Sequence, residues 1–305
     1  HSLMRAFSSF FVSLFGILRW LFQSILHLLT CGLILCVLIG LLIYAKVRPE
    51  LDHCREVAYD KLAQMQRQDF SMLSDTEIYD KNDQLIGLIN AGHYEYVPIS
   101  QISMNLQNAY IAQEDRRFKS HTGVDWIATF RAGLALIKNR GEITQGGSTI
   151  TQQLARNIYL THTVRWERKV EEIFIAMALE KKYSKEELLE FYINNIYFSN
   201  GYYGIQAASQ GYFNKDASDL SLSQAAFLCA IPNSPSLYDP LTHKENTIKR
   251  RDLILENMLK DGIISDNDYT QAVSEEITLD NSSPQFTRTW AHTYIYECAT
   301  RALMQ

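Results

Sequence analysis

The chain has 305 residues and 35.1 kDa, 47% hydrophobic and 21% charged, with only 14 Gly and 6 Pro. That balance excludes a disordered tail, a collagen-like fibre and a low-complexity linker. A net charge of −5 and a pI near 5.9 lack the basic excess of nucleic-acid binders, so no nucleic-acid partner is expected. Cys31, Cys36, Cys54, Cys229 and Cys298 form no C-x-x-C pair, which argues against a disulfide framework or a zinc site. A first residue of His1 instead of Met, and a tail ending Ala302-Leu303-Met304-Gln305, point to a fragment of a longer chain.

In chain order, residues 1–27 are an apolar segment in which Phe7, Phe10, Phe11, Leu14, Phe15, Leu18, Trp20, Leu21 and Phe22 are broken only by Arg19. It reads either as an interfacial helix or as an extension of the span that follows, which would then begin near residue 21. Residues 28–45, LLTCGLILCVLIGLLIYA, carry no charge over 18 positions. At about 1.5 Å per residue they cover roughly 27 Å, the thickness of a bilayer core with little to spare. A core helix would show a polar stripe and a signal peptide a small-residue cleavage site; neither is seen, so a single transmembrane helix is expected. Arg5 and Arg19 precede the span, and Lys46, Arg48, Arg55 and Lys61 follow it. The charge count therefore leans towards a cytoplasmic C-terminal part, and missing basic residues before His1 would reverse it.

Residues 46–75 read as a polar, helical neck. Thr76–Tyr79 and Gln84–Ile89, around the turn-like Asp80-Lys81-Asn82-Asp83, predict a small β-hairpin, nearly the only strand signal in the chain. A helix-like stretch then runs from Ser103 to Gln113. Asp125 caps a helix whose Ile127, Phe130, Leu134 and Ile137 share one face and which ends at Gly141. Ser184 with Glu187 makes a capping box, Ser221 caps a short helix stopped by Pro232, and a helix over Lys244–Leu259 ends before Gly262. With no βαβ alternation and no internal repeat, a mainly α domain over 76–265 is expected. Residues 266–305 read as a linker, with Asn281-Ser282-Ser283-Pro284, and the start of a further domain.

Three blocks could carry chemistry. Glu114-Asp115-Arg116-Arg117-Phe118-Lys119-Ser120-His121-Thr122-Gly123 crowds charges at a helix end. Taken alone it is better read as a solvated end with salt bridges, although a carboxylate among cations and apolar neighbours also suits a general base. Gly146-Gly147-Ser148-Thr149-Ile150-Thr151-Gln152-Gln153-Leu154-Ala155-Arg156-Asn157 leads two glycines into a Ser-capped helix, whose start suits a phosphate. An ordinary N-cap explains Gly and Ser but not the paired glutamines followed by Arg and Asn. In Arg165–Glu172, the helix is expected to bury Val170, Ile173, Phe174 and Met177, with Arg165, Arg168 and Glu172 on another face. There, Arg168–Glu172 taken alone is an ordinary surface pair. No P-loop, G-x-S-x-G elbow, H-E-x-x-H or usable S-x-x-K motif occurs.

Taken together and in order, EDRRFKSHTGVDW, GGSTITQQLARN, RKVEE, KEELLEFYINNIYFSNGYYGIQAA and PNSPSLYDP resemble glycosyltransferase family 51 over roughly residues 76–262. These are the peptidoglycan glycosyltransferases, found as monofunctional enzymes and as the first domain of bifunctional penicillin-binding proteins. Three departures stand out: Ser199 follows Phe198 where a Gly is usual, Asn214 follows Phe213 where Phe-Gly is common, and Arg156 stands where many members carry Lys.

The resemblance implies a lysozyme-like, two-lobed α domain beside the hairpin. It also implies polymerisation of lipid II into β-1,4-linked glycan, with inversion and release of polyprenyl diphosphate. Glu114 would be the general base. Glu172 would lie near the donor diphosphate, orienting cations or a metal, and a divalent cation (Mg²⁺ or Mn²⁺) is expected but no organic cofactor. Substrate contacts are expected from Asp115, Phe118, His121, Gly147, Ser148, Thr149, Gln152, Gln153, Arg156, Asn157, Arg168 and Lys169, with metal ligands unassigned. Partners would be lipid II, the growing glycan, the membrane, and other wall-synthesis, division or elongation proteins. The chain would be single-pass in the plasma membrane with the catalytic domain outside. The rival readings are a lysozyme-like hydrolase, separable with labelled lipid II, and an inactive wall-synthesis scaffold.

Overall fold

The structure, a computed structural model, describes residues 2–71, 76–79, 85–89, 93–139, 146–159 and 166–280. The expected turn at 80–83, the helix end at Gly141, Arg165 and the tail from 281 lie outside them. The chain divides into two compact units, His1–Glu56 and Val57–Gln305. Helix α1, Ser2–Ala63, makes up the described part of the first unit and contains a stretch long and apolar enough to cross a membrane, none of it buried in protein. The neck is helical to Ala63 as expected, and a 3-10 turn, Arg67–Phe70, follows. Phe70 is buried, stacked on Phe191 at 3.9 Å, with Tyr183 edge-on at 5.4 Å. Arg67 reaches Glu187 at 2.8 Å and Glu190 at 3.1 Å, so an aromatic stack under a charge cluster holds this turn to the domain.

The second unit is mainly α. The hairpin expected at its start is present: β1, Thr76–Tyr79, pairs antiparallel with β2, Leu85–Ile89, with an irregularity between Ile78 and Tyr79. One ladder was not foreseen. Strand β3, His93–Tyr94, pairs in parallel with β4, Tyr202–Tyr203, more than a hundred residues on; two residues are too few to leave an alternation in the sequence.

The helices are α2 (Met104–Glu114), α3 (Trp126–Lys138), α4 (Ile150–Tyr159), α5 (Trp166–Lys182), α6 (Lys185–Asn195), α7 (Ile205–Phe213), α8 (Leu222–Ala230), α9 (Lys244–Lys260) and α10 (Asp266–Ser274). Their starts follow the cap chemistry: Ser103 accepts from Leu106 N, Ser184 and Glu187 form a capping box, and Ser221 pairs in the same way with Gln224. Helix α9 ends before Gly262, whose φ is +69°. Helix α4 packs on α5 and α6, while α2 packs on α8 and α9, with α10 against α9. Ala272 and Ile277 belong to the common core, so the packed domain runs beyond the boundary expected at 265.

One face differs from expectation. On α5 the buried side runs Glu172, Ile175, Ala176 and Leu179. Val170, Ile173, Phe174 and Met177 are half-buried, because nearly every position from 173 to 179 is apolar and the stripe is set by packing. Helix α3 turns its apolar face outward: Trp126 is 61% exposed and Phe130 69%, with Ile127 and Leu134 beside them.

Candidate active site

Helix α2 ends at Glu114 because the backbone leaves the helical region at Asp115, φ −158° and ψ 74°. The segment after it folds around the Asp115 carboxylate. Oδ2 accepts from His121 Nε2 at 2.8 Å and from the backbone N–H of Ile150 at 3.0 Å. His121 Nδ1 accepts from Gly123 N–H at 3.2 Å, so the neutral Nε2–H tautomer satisfies both contacts. Gly123 needs to be glycine twice over: its φ is +97°, and a Cβ there would lie 2.7 Å from Met177 N. Asp125 caps α3 through Ala128 N at 2.7 Å and takes a two-pronged contact from the Arg117 guanidinium, with Nε at 2.7 Å.

The start of α4 corrects the sequence reading. Its cap is Thr149, not Ser148. Thr149 Oγ1 accepts from Gln152 N at 3.1 Å and donates to Gly123 O at 2.6 Å, while Gln152 Oε1 accepts from Thr149 N at 3.0 Å. The first helical N–H, that of Ile150, already points at Asp115. The anion favoured by this helix dipole is therefore an internal carboxylate, and the N–H groups of Thr149, Ile150 and Gln152 are all taken within the protein. Gly147 packs against α3, its carbonyl accepting from Thr129 Oγ1 at 3.4 Å. Ser148, half-buried, is left free of the cap and lines two cavities.

Two cavities share Glu114. The first, about 620 Å³, is lined by Gln113, Glu114, Gly146, Ser148, Gln153, Arg156, Tyr192, Pro232, Asn233 and Arg250. The second, about 580 Å³, is lined by Glu114, Asp115, Gly147, Ser148 and Thr149 together with Arg116, Arg117, Asp125 and Arg131. Glu114 Oε2 accepts from Gln153 Nε2 at 2.9 Å, and Gln153 Oε1 accepts from the Tyr192 hydroxyl at 3.1 Å. Burial, together with the nearby Glu114 carboxylate, pushes the Tyr192 phenol well above its usual range, so it stays protonated.

Glu172 reaches this site at one remove. It is 1% exposed on the packed stripe of α5 and accepts from Lys169 Nζ, which also donates to Ser148 Oγ at 3.0 Å. It thus orients a cation. Among the described residues no group of three or more His, Cys, Asp or Glu could hold a metal ion, and Glu172 is engaged by Lys169. The described residues therefore form no resident metal cage.

The sequence candidates therefore separate. Glu114, Ser148, Gln153 and Arg156 meet in the first cavity; Asp115, Gly147, Ser148 and Thr149 line the second. Lys169 and Glu172 join through Ser148. Phe118 and Gln152 are corrected to scaffold: Phe118 is 1% exposed beneath Lys185 Nζ at 4.5 Å, and Gln152 is spent on the cap. His121 is scaffold as well, its ring bound between Asp115 and Gly123. Asn157 is exposed, and neither it nor Arg168 is among the residues lining the two cavities.

Sequence reasoning missed Tyr192, Asn233, Arg131 and Arg250. The Arg250-Arg251 pair held a signal, since neighbours on a helix point about 100° apart. Arg251 is buried on Ser223 Oγ at 3.0 Å and the Glu275 carbonyl at 3.1 Å, which leaves Arg250 to the cavity.

Comparison with known proteins agrees with these blocks. A family described as Transglycosylase matches residues 82–259, and the chain belongs to that family. It is 41% identical over 214 residues to penicillin-binding protein 4 of Bacillus subtilis (strain 168), covering 70% of this chain and 34% of that protein. It is 42% identical over 205 residues to penicillin-binding protein 1A of Aquifex aeolicus (strain VF5), covering 67% and 28%. A crystal structure of penicillin-binding protein 1A from Haemophilus influenzae aligns with a TM-score of 0.40 and 23% identity, over 68% of this chain and 21% of that one. The matched region is between about a fifth and a third of the length of the curated relatives.

Proposed function

We propose that the chain is a peptidoglycan glycosyltransferase that polymerises lipid II. The observation that carries this reading is one carboxylate, Glu114, on the wall common to two cavities that both carry arginines. The reaction brings together two lipid-linked diphosphates and one hydroxyl to be deprotonated, and the site offers an anion-binding cavity on each side of a single base.

The growing chain, as donor, lies in the cavity with Arg156 and Arg250. An incoming lipid II lies in the cavity with Arg131. Arg116 and Arg117 of that cavity are already paired with Asp261 and Asp125. Glu114 takes the proton of the acceptor 4-hydroxyl as its oxygen bonds to the anomeric carbon. The bond from that carbon to the diphosphate breaks on the opposite face, which inverts the centre. The departing oxygen leaves with the electron pair, and Arg156, Arg250 and Lys169 on Ser148 offset its charge. Mg²⁺ or Mn²⁺ would enter with the substrate phosphates and add neutralisation there.

Asp115 and Asp125 are committed as structural acceptors, to His121 and Ile150 and to Arg117 and Ala128, so Glu114 is the carboxylate of the cavity wall left to act on substrate. The outward apolar face of α3 would dip into the bilayer that holds both lipid tails. The catalytic unit would work on the outer face of the plasma membrane, with other wall-synthesis proteins as partners. Purified chain incubated with labelled lipid II should lengthen glycan and leave preformed polymer intact; shortening of the polymer without growth would overturn the assignment in favour of a hydrolase.

A further inference from the structure

The general-base reading leaves one buried group unused. Tyr192, on α6, has its ring in the core, with Tyr110 edge-on at 5.7 Å and 86°. Its hydroxyl donates to Gln153 Oε1 at 3.1 Å, and the other end of the same amide donates to Glu114 Oε2 at 2.9 Å. Among the described residues no hydrogen bond reaches Glu114 Oε1. The amide is thus gripped at its oxygen, its nitrogen is turned to the carboxylate, and one carboxylate oxygen is left for a substrate hydroxyl.

A flipped amide would set its carbonyl oxygen against the carboxylate, acceptor to acceptor, and so disfavour the ionised form that a base requires. We infer that Tyr192 is a positioning residue for the glycosyl transfer: by anchoring Gln153 Oε1 it holds the amide nitrogen on Glu114 Oε2, and so keeps the base aimed at the acceptor hydroxyl. This rests on Glu114 being the base.

The test is a double-mutant cycle on the full chain, following glycan growth from labelled lipid II across pH. Tyr192→Phe should lower kcat about tenfold, the size of one lost hydrogen bond, with KM little changed. The acidic limb of its kcat profile should move to higher pH. In a Gln153→Ala background the same change should cost less than about twofold, because the link is already cut. A wild-type rate and profile for Tyr192→Phe, or an undiminished loss in the Gln153→Ala background, would overturn the inference and assign Tyr192 to packing alone. If Tyr192→Phe does not fold, Gln153→Met decides. It keeps the length of the side chain without a donor or a charge, so it should raise the acidic limb, and an unchanged limb overturns the proposal. Glu114→Gln separates the two levels: activity retained there removes the base itself, whereas an inactive Glu114→Gln beside an unaffected Tyr192→Phe removes only the positioning role.

Discussion

Ser199 and Asn214 hold left-handed backbone, with φ of 67° and 51°, at the two places where the family usually carries glycine. The departures seen in the sequence are therefore conformational: a residue with a Cβ sits where glycine is free of steric cost. Asn214 is the C-cap of α7, a position that asparagine tolerates better than serine does. Ser199→Gly should raise stability by about 0.5–1 kcal/mol and Asn214→Gly by a few tenths, read as unfolding midpoints in detergent. The neighbouring Asn200, φ 51°, should behave oppositely. Its Nδ2 donates to Tyr212 Oη at 2.9 Å and Asp239 Oδ1 at 2.8 Å, so Asn200→Gly should lose about 1 kcal/mol or more. Equal responses from all three would mean that backbone strain is not what distinguishes them. At this scale the sequence was most legible where partners are local. Ser184, Ser221 and Asp125 were identified as caps, and each accepts from a backbone N–H three residues on. Ser148 was misassigned although the signal was local: Thr149 and Gln152 stand at capping-box spacing, and Ser148 with Thr151 does not.

Among elements, start signals were legible for α2, α3, α6, α8 and α9 and ends for α2, α8 and α9, and the direction each faces was not. Helix α5 shows why: with apolar residues on most sides, periodicity alone could not reveal that Glu172 rides the buried stripe. Helix α3 has a clear stripe, but a stripe does not say whether protein or lipid covers it. Its exposed Trp126, Ile127, Phe130 and Leu134 form an apolar face on a domain that acts on lipid-tailed substrates under the proposed reading. Phe130→Asp should cut turnover of lipid II in vesicles about tenfold, the scale of one lost aromatic insertion, and have a much smaller effect in detergent with a short-tailed substrate. Equal losses in both settings would show that the face serves folding or substrate contact instead of the bilayer.

At the scale of the whole molecule, the order of the blocks gave the family but not the assembly of the site. Glu114 comes from the end of α2, Gln153 and Arg156 from α4, Tyr192 from α6, Asn233 from the turn after α8 and Arg250 from α9. Nothing local marks Arg250 as a neighbour of Glu114, since long-range packing of α2 on α8 and α9 brings them together. The core also continues through α10 to Ile277, where composition alone suggested a linker. All of these elements converge on one carboxylate, and the most direct test removes its charge while keeping its shape. In single-turnover polymerisation of labelled lipid II, Glu114→Gln should lose at least about a hundredfold in rate, the contribution of a general base, with helix content and unfolding midpoint unchanged. A folded Glu114→Gln variant that makes glycan at the wild-type rate would contradict the account.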